Sequence, residues 1–187
     1  MTRRAACAVS LALFVLAAPA VRASVVLALD LAQLVAHADH VVVVTAVSES
    51  ARWSRTGRQI VTDVELRVEQ TLKGPTRVGQ VLVATRLGGT LGDVALQVPG
   101  EARLAAGQRA LVFLEASDGE LRFVGMSQGV LALAGSGAQT MALPGGGGMA
   151  LVERAEDGTL VAGAPALARG RRLDELAAEI RRLATAR

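Results

Sequence analysis

The most regular pattern in the chain is an alternation of apolar and polar residues over positions 60–72. One face of it carries Ile60, Thr62, Val64, Leu66, Val68 and Leu72, and the other carries Val61, Asp63, Glu65, Arg67, Glu69 and Thr71. Because successive side chains of a strand point to opposite faces, this alternation predicts one long strand with a charged outer face. The valine run at 41–44 predicts a strand covered on both faces, and SRTG at 54–57 predicts the turn of a hairpin between them.

Shorter apolar stretches after this hairpin predict further strands. They are GQVLVATRLGG, ALVFLEA and ELRFVGM, with a Ser-Asp-Gly turn at 117–119 between the last two. Closer to the C-terminus, AQTMAL and MALVER flank the glycine-rich segment 144–148, and Asp157-Gly158 marks one more turn. The pattern over residues 88–107 is less regular, because several Gly and Pro residues interrupt it.

Two segments have the periodicity of amphipathic helices. In LDLAQLVAHAD, Asp30 is a candidate N-cap, and the apolar residues that follow it lie on one helical face. In RRLDELAAEIRRLATAR, the residues Leu173, Leu176, Ile180 and Leu183 form one stripe. We expect this stripe to pack on the sheet rather than on a membrane, because the opposite face mixes both charge signs. The elements together predict a mainly β fold, a small OB-like antiparallel β-barrel with a short N-terminal helix and a C-terminal amphipathic helix.

The first 23 residues have the pattern of a secretory signal peptide. Arg3 and Arg4 precede an apolar run at 5–18, and the cleavage site is predicted between Ala23 and Ser24. An uncleaved anchor helix is the alternative, but a membrane span needs about 20 apolar residues. The predicted organisation is therefore a signal peptide at 1–23 and one domain at 24–187, with a C-terminal hairpin and helix at about 136–187. The protein is predicted to be exported, with no integral membrane span after cleavage.

Charge and aromatic content argue against a nucleic-acid partner. The chain has 20 Lys and Arg against 17 Asp and Glu, and three of the Arg residues (Arg3, Arg4 and Arg22) belong to the signal peptide. Their removal leaves 17 of each sign, a net charge of zero. Single-stranded nucleic-acid sites need a basic groove and aromatic stacking platforms, and the mature chain has three aromatic residues. The run PGGGGM lacks the Gly-Lys-Ser/Thr ending of a phosphate loop, so no cofactor is predicted.

The stretch HADH offers weak candidates for metal ligands. His37, Asp39 and His40 are close in sequence, but the segment passes from a helix into a strand, which directs the side chains apart. The chain has no third histidine, and its single cysteine, Cys7, lies in the signal peptide. We therefore expect no metal site.

The stretch GMSQG at 125–129 matches the G-x-S-x-G pattern of serine hydrolases, which makes Ser127 a candidate nucleophile. That motif requires a helix after the serine, and a base must take the proton of the hydroxyl. The residues that follow are predicted to be extended, and no histidine occurs after His40. A hydrolase is therefore the least favoured function. We expect Gly125 and Gly129 to mark a bend or bulge at a corner of the sheet.

Three stretches resemble the netrin-like module and the N-terminal domain of tissue inhibitors of metalloproteinases. They are HADHVVVVTAVSESARW, ELRVEQTLKGP and GQVLVAT, with the matching motifs Ala38-Asp39 and Lys73-Gly74-Pro75. The resemblance covers residues 31–85 and implies an OB-fold that binds protein, with a protruding first hairpin that contacts the protease in some members. Those inhibitors chelate the protease zinc with an N-terminal cysteine, and the mature chain here has no cysteine. Inhibition by that mechanism is not expected.

The tip of the first hairpin is the candidate partner site. It carries Arg52, Trp53, Arg55 and Arg58, and Trp and Arg are the residues most enriched at interface hot spots. In the alternative interpretation, Trp53 folds back on the end of the barrel. The sequence thus predicts an exported, non-enzymatic domain of the periplasm or extracellular space that binds an unknown protein. The alternative is a structural or assembly component of the cell envelope that docks through the Arg-rich terminal helix.

Overall fold

The structure is a computed structural model that describes residues 24–145 and 147–186. The predicted signal peptide at 1–23, and with it the cleavage after Ala23, lies outside the described residues. Within the described ranges, no helix is both long enough and apolar enough to cross a membrane.

The described residues form a mainly β structure with two α-helices, which confirms the predicted class. The strands are β1 (Ser24–Leu27), β2 (His40–Trp53), β3 (Ile60–Lys73), β4 (Val81–Leu87), β5 (Gly89–Leu91), β6 (Val94–Leu96), β7 (Arg109–Ser117), β8 (Glu120–Phe123), β9 (Val130–Ala134), β10 (Met141–Ala142), β11 (Met149–Arg154), β12 (Leu160–Ala162) and β13 (Arg171–Arg172). The helices are α1 (Leu31–His37) and α2 (Leu173–Thr185), and two short 3₁₀ turns cover Met126–Gly129 and Gly137–Gln139.

Five strands close into a ring through their backbone pairs. β2 pairs antiparallel with both β3 and β7, and β3 pairs antiparallel with β4. β8 pairs antiparallel with β7 and also parallel with β4, where Ala84 aligns with Leu121. The order β2-β3-β4-β8-β7 therefore returns to β2. We call this arrangement the strand ring.

The hairpin of β2 and β3 is the longest pairing and confirms the prediction from the alternating pattern. Its turn is closed by the amide of Ser54, which donates to the carbonyl of Gln59 at 2.8 Å. Three register shifts interrupt the pairing, and such bulges bend and twist strands, which allows long strands to follow a closed ring. Val61 departs from the predicted pattern, because it is buried although it lies on the outer face.

Two cores lie on opposite sides of β2 and β7. The inner core, inside the strand ring, includes Val42, Val44, Ala46, Val64, Leu66, Val68, Leu82, Ala84, Ala110, Val112, Leu114 and Phe123. The outer core includes Val41, Val43, Leu72, Leu111, Phe113, Val124, Leu131 and the buried residues of both helices. The valine run of β2 therefore alternates between the two cores, which confirms that both of its faces are covered.

Both helices pack on the outer core, as their periodicity predicts. Asp30 caps α1 in a reciprocal box, since its carboxylate accepts from the Gln33 amide and the Gln33 side chain accepts from the Asp30 amide. In α2, Leu176 and Ile180 are fully buried, and Leu173 and Leu183 are partly buried against the same core. The apolar stripe of the terminal helix is thus covered by the protein itself.

The two motifs behind the family resemblance meet in space at the end of α1. The ammonium of Lys73 donates to the carbonyls of Val35 at 2.7 Å and Ala38 at 2.6 Å, so it caps the helix C-terminus. Gly74 follows with a φ of +93°, and a Cβ at this position would lie 2.5 Å from the carbonyl oxygen of Asp39. The Ala-Asp and Lys-Gly motifs therefore contact each other directly and form one structural joint at the end of α1.

The C-terminal strands are distributed over two sheets. β10 pairs with β9 and β13, whereas β11 pairs parallel with β1 and antiparallel with β12. The glycine-rich segment 144–148 therefore connects two sheets, and the hairpin within 136–187 is the one between β11 and β12, around Asp157-Gly158. The sequence pattern did not predict β1.

The irregular segment 88–107 covers one end of the strand ring. It begins with the small hairpin of β5 and β6, and its later part places Ala102 and Leu104 in the inner core, each 1% exposed. No periodic pattern surrounds these two side chains, so the contribution of this segment to the core could not be predicted from the sequence.

Candidate functional site

The turn between β2 and β3 presents three of the four predicted partner residues at the surface. Trp53 is 49% exposed, so about half of the residue is open to solvent and half is covered by the protein. Arg55 and Arg58 are both exposed on the turn itself. This end of the hairpin therefore combines a large aromatic residue with two cationic ones.

The fourth residue, Arg52, is held by the fold. Its Nε and Nη2 donate to the two carboxylate oxygens of Asp63 at 2.6 and 3.0 Å, and Nη2 also donates to Glu120 at 2.9 Å. The hydrogen bonds that Arg52 donates to Asp63 and Glu120 raise its pKa above the ordinary value, despite partial desolvation. Arg52 thus connects β2 and β3 to β8. We call Arg52, Asp63 and Glu120 the ionic clamp.

A second contact joins the turns of two hairpins. The guanidinium of Arg55 donates to the backbone carbonyl of Asp118, which lies in the turn between β7 and β8. Together with the ionic clamp, this contact fixes the tip of the first hairpin against its neighbour. Trp53, Arg55 and Arg58, with the turn at 118–119 beside them, form one surface that we call the tip surface.

The carboxyl group of Asp63 is expected to make the ionic clamp sensitive to acid. Desolvation opposes its ionisation, but hydrogen bonds from Arg52 and Thr85 outweigh that effect and hold the pKa of Asp63 below its ordinary value of 3.8. A carboxyl with a depressed pKa stabilises the folded state above its unfolded pKa, and this contribution is lost as the pH falls through the folded value.

We therefore predict that Asp63→Asn lowers the free energy of unfolding at neutral pH by about 1 kcal/mol, the upper range for partly exposed ion pairs. The difference from the wild type should be constant above about pH 5 and should shrink as the pH falls below the ordinary pKa of the side chain. Urea denaturation across this pH range measures it. Glu156→Gln, at an exposed position, is the control. A difference that does not change with pH would contradict the prediction.

The weak metal candidates of the HADH stretch differ in their surroundings. His37 is exposed at the end of α1, Asp39 accepts from the amide of Ala116 at 2.7 Å, and the Nδ1 of His40 lies 2.7 Å from the hydroxyl of Thr76. In the part of the chain that the structure describes, no three His, Cys, Asp or Glu side chains converge as metal ligands would.

Ser127 lies on the 3₁₀ turn between β8 and β9, where a hydrolase motif would require an α-helix. Its hydroxyl donates to the carbonyl of Gly147 at 3.3 Å, and neither histidine is among its hydrogen-bond partners within the described ranges. Because β8 and β9 pair with successive parts of β7, the turn is an insertion in one interrupted strand. The structure thus confirms the predicted bulge at this motif, within one sheet.

The neighbouring Gln128 has a structural role that the sequence did not indicate. It is 3% exposed, its Oε1 accepts from the amide of Leu29 at 2.9 Å, and its Nε2 donates to the carbonyl of Leu27 at 3.1 Å. The side-chain amide thus forms hydrogen bonds with the segment between β1 and α1 that a neighbouring strand would otherwise form. A Gln between Ser127 and Gly129 carries no sequence signal for such a contact.

A polar cavity of about 520 Å³ lies at the end of the strand ring that segment 88–107 covers. Its wall includes Glu49, Thr62, Arg86, Gly88, Glu101 and Arg103. They come from β2, β3, β4 and the two loops that follow, so the sequence could not indicate that they share one site.

Comparison with known proteins does not assign the chain to a family: no protein-family model, no curated protein and no solved structure matches it. The functional argument therefore rests on the geometry of the tip surface and of the cavity.

Proposed function

We propose that this chain is an exported, non-enzymatic protein-binding domain of the periplasm or extracellular space, and that the tip surface is its partner contact. The observation that carries the proposal is the half-exposed Trp53 on a hairpin fixed by the ionic clamp and by Arg55. Trp and Arg contribute most of the binding energy at many interfaces. A contact surface that is already ordered loses less conformational entropy on binding.

We also propose that the strand ring is an OB-like barrel of the netrin-like type. If its strands are numbered 1 to 5 in chain order, they pair in the order 1-2-3-5-4-1, with a parallel pair between strands 3 and 5. A five-stranded Greek-key ring of this kind is typical of OB barrels. The joint between Lys73, Gly74 and the end of α1 gives a physical reason for the motifs that resemble the family. By that resemblance, a protease is the partner class to test first.

The two alternative functions receive less support. A hydrolase would need a base beside Ser127, whose hydroxyl instead donates to a backbone carbonyl. Docking to the envelope through the Arg-rich terminal segment would use its arginines, of which Arg171 pairs with Glu179 and Arg172 with Asp174, whereas Arg181 and Arg182 of α2 are exposed. Because the apolar stripe of α2 is buried, that helix presents no apolar face to a second molecule.

We predict that Trp53→Ala lowers partner recovery about tenfold or more, the loss typical of a hot-spot tryptophan. Residues 24–187, immobilised on a resin, would capture partners from envelope and culture-supernatant fractions of the source organism. Leu160→Ala is the matched control, because Leu160 is an exposed apolar residue outside the tip surface.

Equal recovery by the wild type and both variants would exclude the tip surface as the contact. Binding of an identified partner can then be followed directly, since Trp53 is the only tryptophan in the chain and there is no tyrosine. We expect its fluorescence maximum to shift to shorter wavelength when the partner covers it.

A further inference from the structure

The cavity at the end of the strand ring has the size and construction of a ligand site. Its volume of about 520 Å³ falls within the range of about 300–1,000 Å³ that small-molecule sites occupy. Thr62 and Leu104, 3% and 1% exposed, line its inner part. Unlike the apolar interior of the ring, its wall carries charged side chains of both signs.

The backbone wall of the cavity is held close to β3. The hydroxyl of Thr62 donates to the carbonyl of Gly88 at 2.6 Å. The next residue, Gly89, has a φ of +141°, and a Cβ there would lie 2.4 Å from that same hydroxyl oxygen. Only glycine fits at this approach, so the shape of the wall depends on a specific pair of residues rather than on a loose loop.

Arg86 brings unused hydrogen-bond donors to this wall. By the alternation of β4, it follows Leu82 and Ala84 on the inner face, and its side chain is 15% exposed. A guanidinium has five N–H donors. Within the described residues, its one side-chain hydrogen bond joins Nη2 to Glu49 at 3.2 Å, and its buried Nε has no acceptor. Because the Nε has almost no accessible surface, the donors open to a ligand are those of the terminal nitrogens, and these favour a ligand with acceptor oxygens.

The acidic groups of the wall do not neutralise Arg86 fully. Glu49 makes one long contact with it, and Glu101 is not within ion-pair distance of it. Burial raises the pKa of the Glu101 carboxyl, although hydrogen bonds from the backbone amides of Ala102 and Leu87 and the charges of Arg86 and Arg122 oppose that rise. Glu101 therefore holds its charge less firmly than an exposed glutamate does, and Arg103 adds a second cation to the wall.

We propose that this cavity is a binding site for a carboxylate, which Arg86 holds by paired N–H···O hydrogen bonds. The planar fork of a guanidinium matches the two oxygens of a carboxylate, and such paired, charge-assisted bonds are among the strongest in proteins. The carboxylate belongs either to a free small organic acid or to the C-terminus of a peptide. The site is separate from the tip surface, so the proposal does not depend on the proposed function.

The test compares acids with their amides on the wild-type domain, residues 24–187 labelled with ¹⁵N. Propionate and propionamide represent the free acid, and acetyl-Gly-Ala-Ala with a free or an amidated C-terminus represents the peptide. We expect the Nε–Hε resonance of Arg86 to shift in a saturable way, with binding of an acid at least about tenfold tighter than that of its amide.

The outcomes separate the two sources of the carboxylate. Tighter binding of the peptide acid than of propionate assigns the site to a peptide terminus, and the reverse order assigns it to a free acid. Equal binding of acid and amide in both pairs, or no saturable shift with any of the four probes, overturns the proposal. Since these comparisons use the wild type, they do not depend on the folding of a variant.

Arg86→Gln tests the assignment to this side chain, and Arg67→Gln is its control. Arg67 is exposed on the outer face of β3, so its loss should leave acid binding unchanged. Arg86→Gln should lose the preference for acid over amide, and Arg86→Lys, which keeps the charge without the fork, should bind the acid more weakly than the wild type. Wild-type acid affinity in a folded Arg86→Gln variant would overturn the proposal.

Discussion

Phe113→Ala is expected to lower the free energy of unfolding by about 3–5 kcal/mol, the range for an aromatic side chain removed from a packed core. Phe113 is completely buried, and among the described residues it is the largest side chain of which this is true. It lies on β7, the strand that pairs with β2 on one side and with β8 and β9 on the other. Its loss therefore leaves a cavity between the strand ring and both helices.

Urea denaturation, followed by the fluorescence of Trp53, measures this loss. Val83→Ala is the control, because Val83 is 47% exposed on β4 and surface substitutions usually change stability by less than about 0.5 kcal/mol. If Phe113→Ala were no more destabilising than Val83→Ala, the outer core would not be the packed unit that the burial of its residues indicates.

Gln128→Ala is expected to destabilise the domain by about 1–3 kcal/mol, because it removes a buried side chain that bonds three backbone groups. The amide of Leu29 and the carbonyls of Leu27 and Gly125 would all lose this partner, and the Gln128 side chain that provides it is 3% exposed. Ser127→Ala, one residue away, removes one hydroxyl with a single long hydrogen bond and should cost less than about 0.5 kcal/mol.

Paired denaturation curves for the two variants test this contrast, and hydrogen exchange at the Leu29 amide locates it. Exchange at that amide should become faster in Gln128→Ala and should stay unchanged in Ser127→Ala. If the serine variant were the less stable one, the motif would depend on Ser127 in a way that its observed contacts do not explain.

The sequence predicted those elements whose signal is long and local. The alternation over 60–72 and the stripe of α2 repeat several times, so each specifies its own buried face. β1 has four residues, and its partner β11 begins 125 positions later, at Met149, so no local pattern could connect them. Ala102 and Leu104 are buried because the strand ring leaves an open end there, which is a property of the assembled fold.

The same difference between local signals and contacts of distant segments applies to the candidate sites. Trp53, Arg55 and Arg58 could be placed on a turn, since the turn signal and the residues are adjacent in sequence. The role of Arg52 could not be predicted, because its partner Glu120 is 68 positions away. The same limit applies to Arg86, whose surroundings come from several distant segments of the chain.

The way in which the strand ring closes determines where the domain is expected to open first. β2 and β3 are aligned over most of their length, whereas β4 and β8 align at one residue pair, Ala84 with Leu121. Local opening is easiest where the fewest backbone hydrogen bonds must break, so we expect it to begin at the junction of β4 and β8. The ion pairs of Arg52 connect β2 and β3 to Glu120 on β8, and they therefore strengthen the closure of the ring at this side of β8. Arg52, which orders the tip surface, therefore also stabilises the closed form of the strand ring.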